Sequence, residues 1–482
     1  MLLPRPALCS LLAGLLLAAP ALARETTLPP GVARALARAG VPADAVSLLV
    51  TEAGGHGAPL LSLHAQAQRN PASVMKLVTT LAGLELLGPG WTWTTPVYVE
   101  GAVRDGTLHG NLYLEGRGDP KLVIERMWLL LRRVQSLGIR HIAGDIVLDR
   151  SAFDVASQDP GEFDGERLRP YNAAPDALLL NFKSVLMTFV PDASGKVAQV
   201  HYEPPLSGVQ LQTTVPLAEG ECGSYRATLR AELDDPRRIG FAGRYPAACG
   251  EKTWPLAFAD PASYGVRAFE GLWREMGGRL DGQVRYGPVP AGLAPAFEFA
   301  SLPLAEIVRT INKYSNNVMT QQLFLTLSQQ QMGKGTLAGS RTLVQDWWRQ
   351  RFGAGDEPTL DNGSGLSRSD RISARALERL LQYVWASPLM PELLSSLPIT
   401  GQDGTLRPER WRARGVAHLK TGSLRDVAAL AGIVHAEGGH RYVLVAIVNH
   451  PNAAATRPAF EALVEWAARQ RPHDPRRSAT RP

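Results

Sequence analysis

Cysteine is scarce: there are 3 in 482 residues. None lies next to a histidine that could activate it as a nucleophile. The 10 histidines form no nucleophile–base pattern, and no His-Glu-x-x-His or comparable zinc spacing occurs. A catalytic metal is therefore unsupported, and nothing in the chain calls for another cofactor. No stripe of Lys and Arg with interleaved aromatics appears, which argues against a nucleic-acid partner despite a net charge of +6. A diffuse positive charge suits an anionic cell-surface polymer better. Beyond the N-terminus no segment is long and apolar enough to span a bilayer.

What is present starts with a leader. Arg5 precedes the apolar stretch "ALCSLLAGLLLAAP", and "ALA" at 21–23 is a small-residue cleavage pattern. Residues 1–23 read as a secretory signal peptide cut after Ala23. Cys9 would be lost with it. The remaining pair, Cys222 and Cys249, in an oxidising compartment, favours a disulfide over two free thiols.

The mature chain changes texture twice. "VSLLVTEAG" (46–54) and "PLLSLHA" (59–65) read as strands, and residues 73–87 as a helix with Leu77, Leu81, Leu84 and Leu87 on one stripe. From about 96 to 295, short strand-like runs such as "PVYVEGAV", "HIAGDIVLD" and "RATLRAEL" alternate with Gly, Pro and Asp turns, interrupted by one helix at 121–137. Helical spacing returns near Ala305. The chain then ends in strand "VAHLKTG", a hairpin turning at Gly438-Gly439, and a helix at about 456–469. Residues 471–482 read as a disordered tail. The economical fold class is α/β (α+β). One domain is built from 24–95 plus 296–470, and 96–295 is a mainly β insert of one or two small units.

Three short motifs carry chemistry. Ser73-Val74-Met75-Lys76 puts a hydroxyl and an amine on one helix face. Free lysine, with a pKa of about 10.4, is no base at neutral pH. Burial, a helix dipole or a nearby cation would have to lower it. Ser315-Asn316-Asn317 and Lys420-Thr421-Gly422 follow. Each motif alone is weak, and Ser-x-x-Lys is expected about once by chance in a chain of this length. In this order they match the set used by penicillin-binding proteins and class A β-lactamases.

The chain resembles the low-molecular-mass class C penicillin-binding proteins, the D-alanyl-D-alanine carboxypeptidase/endopeptidases of peptidase family S13. "GRGDPKL" (116–122), "NAAPDALLLNFKSV" (172–185), "DNGSGLSR" (361–368) and "PITGQDGTL" (398–406) are similar to accessory motifs of that family, as is the long insert. Asn316 stands where Asp is usual, and Ser423 where some relatives have Thr.

The resemblance implies a penicillin-binding, serine β-lactamase-like transpeptidase fold with an antiparallel sheet flanked by helices. It implies a periplasmic enzyme acting on peptidoglycan stem peptides and acylated by β-lactams, with peripheral association to wall or membrane. Ser73 would be the nucleophile and Lys76 its base. Lys420 would lower the Lys76 pKa and attract the substrate carboxylate, and Ser315 would relay a proton to the leaving nitrogen. Asn317 would bind the substrate amide. Thr421, Gly422 and Ser423 would seat the substrate along a strand edge, and Arg368 is a further carboxylate candidate. A crosslink carries a diaminopimelate amine, for which Asp164 or Glu166, beside Tyr171, are the acids proposed. Asp361 and Ser364 are read as turn formers, and His418 and His450 as strand-end residues. A β-lactamase or esterase on the same framework, and a non-catalytic β-lactam sensor or wall-binding module, are the alternatives. The lactamase would need a second carboxylate for its water. A retired binding site would have no chemical use for all four of Ser73, Lys76, Ser315 and Lys420.

Overall fold

The computed structural model describes residues 27–470, apart from 56, 157, 408–410 and 412. The expected signal peptide at 1–23 and the expected tail at 471–482 lie outside the described residues.

Strands from the two ends of the chain make one five-stranded antiparallel sheet. Its order is Ala417–Leu424, Val427–His435, Arg441–Asn449, Val46–Glu52, Leu61–Leu63. The three central strands are buried along nearly their whole length, because alternate residues feed two cores. Leu49, Ala431, Val443 and Val445 face one core. Leu48, Val50, Leu430 and Leu444 face the other. Period-two side chains on a sheet covered on both faces produce such continuous apolar runs. Helices Pro30–Ala39 and Arg457–Ala468 cover one face. The other is covered by Lys76–Leu87, Leu304–Tyr314, Asn317–Met332, Leu337–Phe352, Ala374–Trp385 and Met390–Ser396.

Helix Lys76–Leu87 is not the amphipathic helix its leucine spacing suggested. Every residue from Lys76 to Leu84 is buried, since the helix runs through the middle of the helical layer. Its start also differs: residues Ala72–Met75 form a 3₁₀ turn that passes into the α-helix at Lys76.

The stretch between carries three sheets of its own. A seven-stranded mixed sheet runs from Thr94–Arg104 to Phe297–Ala300. A five-stranded sheet is centred on Ser184–Pro191 and Val197–Glu203, and a small three-stranded one contains Arg238–Phe241. One hydrophobic core joins these elements. Two helices of substance belong here. Ile124–Ser136 was expected. Pro261–Glu275 was not, although Asp260 caps it by accepting from the Ala262 N–H and Pro261 opens it. "RATLRAEL" is no strand: Tyr225–Leu229 is a short helix, ended by Arg230 in the left-handed region and followed by a two-residue strand. Ala, Arg and Leu are good helix formers. Cys222 and Cys249 are disulfide-bonded. Among the described residues no helix is long and apolar enough to cross a membrane.

Candidate active site

The 3₁₀ turn decides the geometry at Ser73. With 3.0 residues per turn, side chains at i and i+3 eclipse. Ser73 Oγ and Lys76 Nζ therefore meet at 2.9 Å. The entry to the turn is held by Asn70, whose side chain accepts from the Ala72 N–H and donates to the Ser367 carbonyl. Ala72 itself has φ of +46°, a left-handed conformation that costs a non-glycine residue energy.

Lys76 is fully buried. Its amine has two further partners, Asn317 Oδ1 at 2.7 Å and the carbonyl of Ser364. Burial and the charge of Lys420 push its pKa well below the usual lysine value, against an opposing pull from Asp370. Asp370 lies in the same loop as Ser364 and is also fully buried. Its Oδ1 accepts from the Asp361 N–H at 2.7 Å, while its Oδ2 has no hydrogen-bond partner. Burial raises this carboxyl to about 7. The loop presses close to the turn that carries Ser73: a Cβ on Gly365, whose φ is +80°, would stand 2.0 Å from the Ala72 carbonyl oxygen.

Helix Leu304–Tyr314 stops at Ser315 in the left-handed region, with φ of 56°. The chain restarts as helix Asn317–Met332, capped by Asn316 Oδ1 accepting from the Met319 N–H at 3.0 Å. An Asp could cap as well, so the departure at Asn316 is neutral here. The break turns Ser315 toward Lys420, whose Nζ donates to Ser315 Oγ at 3.0 Å and to the Thr421 carbonyl at 2.8 Å. Lys420 is fully buried, and burial alone lowers its pKa to about 7.

Strand Ala417–Leu424 lies at the edge of its sheet. Gly422 faces the start of the 3₁₀ turn, where a Cβ would meet the Pro71 carbonyl at 2.4 Å and the Ser73 amide nitrogen at 3.2 Å. Only glycine lets these two backbones approach so closely. Ser73, Ser315, Thr421, Gly422 and Ser423 line one cavity of about 480 Å³, together with Thr405.

The structure thus gathers Ser73, Lys76, Ser315, Asn317, Lys420, Thr421, Gly422 and Ser423 in one cluster. Asn317 was expected to hold a substrate amide. Here its Oδ1 serves Lys76 and its Nδ2 donates to the Tyr171 carbonyl at 3.2 Å. Arg368 stands apart from the Ser73 cavity. It pairs with Asp426 at 2.8 Å, stacks on Phe163, and lines a second cavity of about 460 Å³. Asp159, Glu162 and Asp361 line that cavity, together with Arg341, whereas Asp164 and Glu166 do not. Asp164 accepts from Tyr171 and Asn172, and Glu166 pairs with Arg169. Asp361 pairs with Arg341 at 2.6 Å. His418 holds the Leu394 carbonyl, and the His450 ring accepts from the Asn452 N–H.

Three contributors escaped sequence reasoning: the Ser364 carbonyl, Asp370 and Thr405. All three lie in or just after stretches singled out as accessory motifs, which was the available signal.

A two-faced antiparallel sheet between helical layers, with a Ser–Lys pair opening the central helix, defines the penicillin-binding and serine β-lactamase-like class. The solved structure of penicillin-binding protein 4 (dacB) from Haemophilus influenzae superposes with a TM-score of 0.73 at 20% identity, covering 91% of this chain and 99% of that one. More narrowly, the D-Ala-D-Ala carboxypeptidase 3 (S13) family matches residues 31–470, and the chain belongs to that family. A D-alanyl-D-alanine carboxypeptidase from Actinomadura sp. (strain R39) is 30% identical, with 90% of this chain and 84% of the relative covered. The D-alanyl-D-alanine carboxypeptidase DacB of Haemophilus influenzae is 26% identical over 78% of this chain and 80% of its own.

Proposed function

We propose that the chain is an exported serine D,D-peptidase that hydrolyses D-Ala–D-Ala ends, and D-Ala–diaminopimelate crosslinks, of peptidoglycan through an acyl-enzyme on Ser73. The observation that carries this reading is the partner set of Lys76. Two of its three partners, Asn317 Oδ1 and the Ser364 carbonyl, can only accept. A neutral amine satisfies both with its N–H bonds and keeps its lone pair for the Ser73 hydroxyl.

In the first step Ser73 Oγ attacks the carbonyl between two D-alanines as its proton passes to Lys76. The developing oxyanion takes hydrogen bonds from the backbone N–H groups of Ser73 and Ser423, whose segments meet at Gly422. One such donor is worth about 2.7–4 kcal/mol. The C–N bond breaks, and the leaving nitrogen takes a proton delivered through Ser315. Water then attacks the ester, losing its proton to the same relay, and frees Ser73. Lys420 awaits the terminal carboxylate: its ammonium has no carboxylate partner among the described residues, and burial is the sole cause of its lowered pKa.

The finer claim, cleavage of crosslinks, is supported by the second cavity, where Arg368 offers a cation and Asp159 and Glu162 offer anions to a zwitterionic side chain. A penicillin G-acylated predatory endopeptidase from Bdellovibrio bacteriovorus has a similar fold, with a TM-score of 0.52 at 16% identity, covering 87% of this chain and 92% of that one. β-Lactams resemble the D-alanyl dipeptide and are expected to acylate Ser73.

Fluorescent penicillin should label the wild type and not Ser73→Ala; equal labelling of both would sink the nucleophile. Muropeptides from digested sacculi should show dimers becoming monomers. Pentapeptides shortening while dimers persist would restrict the activity to carboxypeptidase.

A further inference from the structure

Thr405 is an exposed hydroxyl on the loop 398–406, lining the cavity of Ser73. Its Oγ1 is 2.7 Å from Thr421 Oγ1. Two hydroxyls so paired share one proton between them and leave the other free for an incoming acceptor. Ser423 lines the same cavity. Just behind, Lys420 Nζ contacts the Thr421 carbonyl at 2.8 Å and supplies a buried positive charge beside these hydroxyls.

The position of Thr405 is built rather than incidental. Asp403 binds the loop to itself by accepting from the Ile399 N–H at 2.7 Å through Oδ1. Through Oδ2 it takes an ion pair from Lys313 at 2.5 Å. The Lys313 side chain is only 6% exposed, while the Asp403 carboxylate is 37% exposed, so the pair is anchored from its buried lysine end. Gly404 has φ of +55°, and a Cβ there would stand 2.4 Å from the Lys313 carbonyl oxygen. Lys313 precedes Ser315 by two residues. The helix end that presents Ser315 therefore also fixes the loop that presents Thr405. The loop's other side is stitched to the strand edge by the Leu419 N–H to Pro398 carbonyl bond and the Thr400 N–H to Ala417 carbonyl bond.

We infer that Thr405 completes, with Thr421 and Ser423, a cradle of three hydroxyls for the terminal carboxylate of the leaving residue, and that the Lys313–Asp403 ion pair acts as the strut that positions it. This rests on the Ser73 acyl-enzyme reading. A carboxylate accepts several hydrogen bonds in one plane, and a ring of hydroxyls around one buried cation meets that demand without adding a second charge. Thr405 touches substrate in this scheme. Asp403 acts only through Thr405 and is a positioning residue.

The test compares N-acyl-D-Ala-D-Ala peptides ending in a free carboxylate or a carboxamide. The enzymes are wild type, Thr405→Val, Thr405→Ser and Asp403→Asn. For the carboxylate peptide, Thr405→Val should raise KM roughly tenfold or more, the scale of a hydrogen bond to a charged group, with a smaller fall in kcat. Thr405→Ser should restore most of the loss. The carboxamide peptide should show no further loss in Thr405→Val, and Asp403→Asn should move in the same direction as Thr405→Val. Complete labelling of Thr405→Val at saturating fluorescent penicillin marks a folded, acylatable site. An unchanged KM for the carboxylate peptide in that labelled variant overturns the inference. An equal loss on both peptides also overturns it, since Thr405 would then only brace the loop. Failure of the wild type to be acylated at Ser73 would instead remove the reading beneath it.

Discussion

Lys420 Nζ donates to Ser315 Oγ at 3.0 Å, joining a strand residue to the cap of a helix 105 positions earlier in the chain. Lys76 Nζ lies 2.9 Å from Ser73 Oγ, so two buried lysines serve the two serines that line one cavity. The charge of Lys420 adds to burial in lowering the Lys76 pKa, while burial alone lowers that of Lys420, and the proposed chemistry needs the two in opposite states. Lys76 must be neutral to accept the Ser73 proton, and Lys420 charged to hold a carboxylate.

The pH dependence of acylation should therefore be bell-shaped. The rising limb is Lys76 losing its proton, which burial and the Lys420 charge move far below the ordinary lysine range. The falling limb is Lys420 losing its proton near 7 in the free enzyme. A bound carboxylate favours the charged form of Lys420. The falling limb of kcat should then lie at higher pH than that of kcat/KM. Stopped-flow acylation by a chromogenic β-lactam gives both profiles. Coincident falling limbs would remove Lys420 from carboxylate binding. Lys76→Arg should abolish acylation, since a guanidinium stays protonated.

Asp370 is the third charge in this group. Its carboxyl faces Lys76, with Asp361 and Arg341 as the other charged neighbours that act on it. When ionised it raises the Lys76 pKa, and it ionises only near 7 because it is buried. Asp370→Asn keeps an oxygen for the Asp361 N–H but loses that charge. The rising limb should move to lower pH, by on the order of one unit. A fallen plateau with an unmoved limb would make Asp370 a brace for its loop and nothing more.

The parts of this site that were legible in the sequence are local ones. Ser73 and Lys76 are three residues apart, and the Gly after Lys420-Thr421 signals close backbone approach. Both are readable because the chemistry restricts spacing. Long-range contacts were not legible. The Ser364 carbonyl reaches Lys76 across 288 positions, and Arg368 finds Asp426 across 58. No local pattern encodes either contact. Helix Lys76–Leu87 was misread for a related reason. Thr79 and Thr80 look like a solvent face, but their hydroxyls bond to the Gly363 and Lys76 carbonyls inside the core. In the middle stretch, hairpins such as Thr94–Arg104 with Thr107–Glu115 follow from turn chemistry at Asp105-Gly106. The short helix Tyr225–Leu229 and the long helix Pro261–Glu275 were overlooked because the surrounding strand texture dominated the reading.

Acid should weaken the fold through His435. Its ring lies against His418 at 5.3 Å, and its buried Nε2 has no hydrogen-bond partner. Burial first, then the charge of Arg441 and the neighbouring His418, lowers its pKa from 6.5 to about 4. Folding thus favours the neutral ring. The associated stability is complete above 6.5 and is lost as pH falls toward 4. Melting temperature should drop across that interval, and His435→Phe should flatten the drop. Parallel curves for variant and wild type would assign the acid sensitivity elsewhere.

The disulfide Cys222–Cys249 belongs to the core of the middle stretch, beside the stacked rings of Phe189 and Tyr245. Neither cysteine lines the cavity of Ser73, whose walls draw on the two cores of the terminal sheet. Closing a loop with a sequence separation of 27 restricts the unfolded chain and contributes about 2–4 kcal/mol. Cys222→Ala with Cys249→Ala should lower the unfolding free energy of the middle core by that amount, bring its denaturant midpoint down accordingly, and leave the acylation rate intact. Because the cores are separate, unfolding of the variant should split into two steps, with penicillin labelling surviving the first. Intrinsic tryptophan fluorescence, followed in parallel with labelling across a urea series, resolves the order. Labelling that vanishes together with the first fluorescence change would mean that the middle stretch and the terminal sheet unfold as one cooperative unit, and that the clip supports the active site after all.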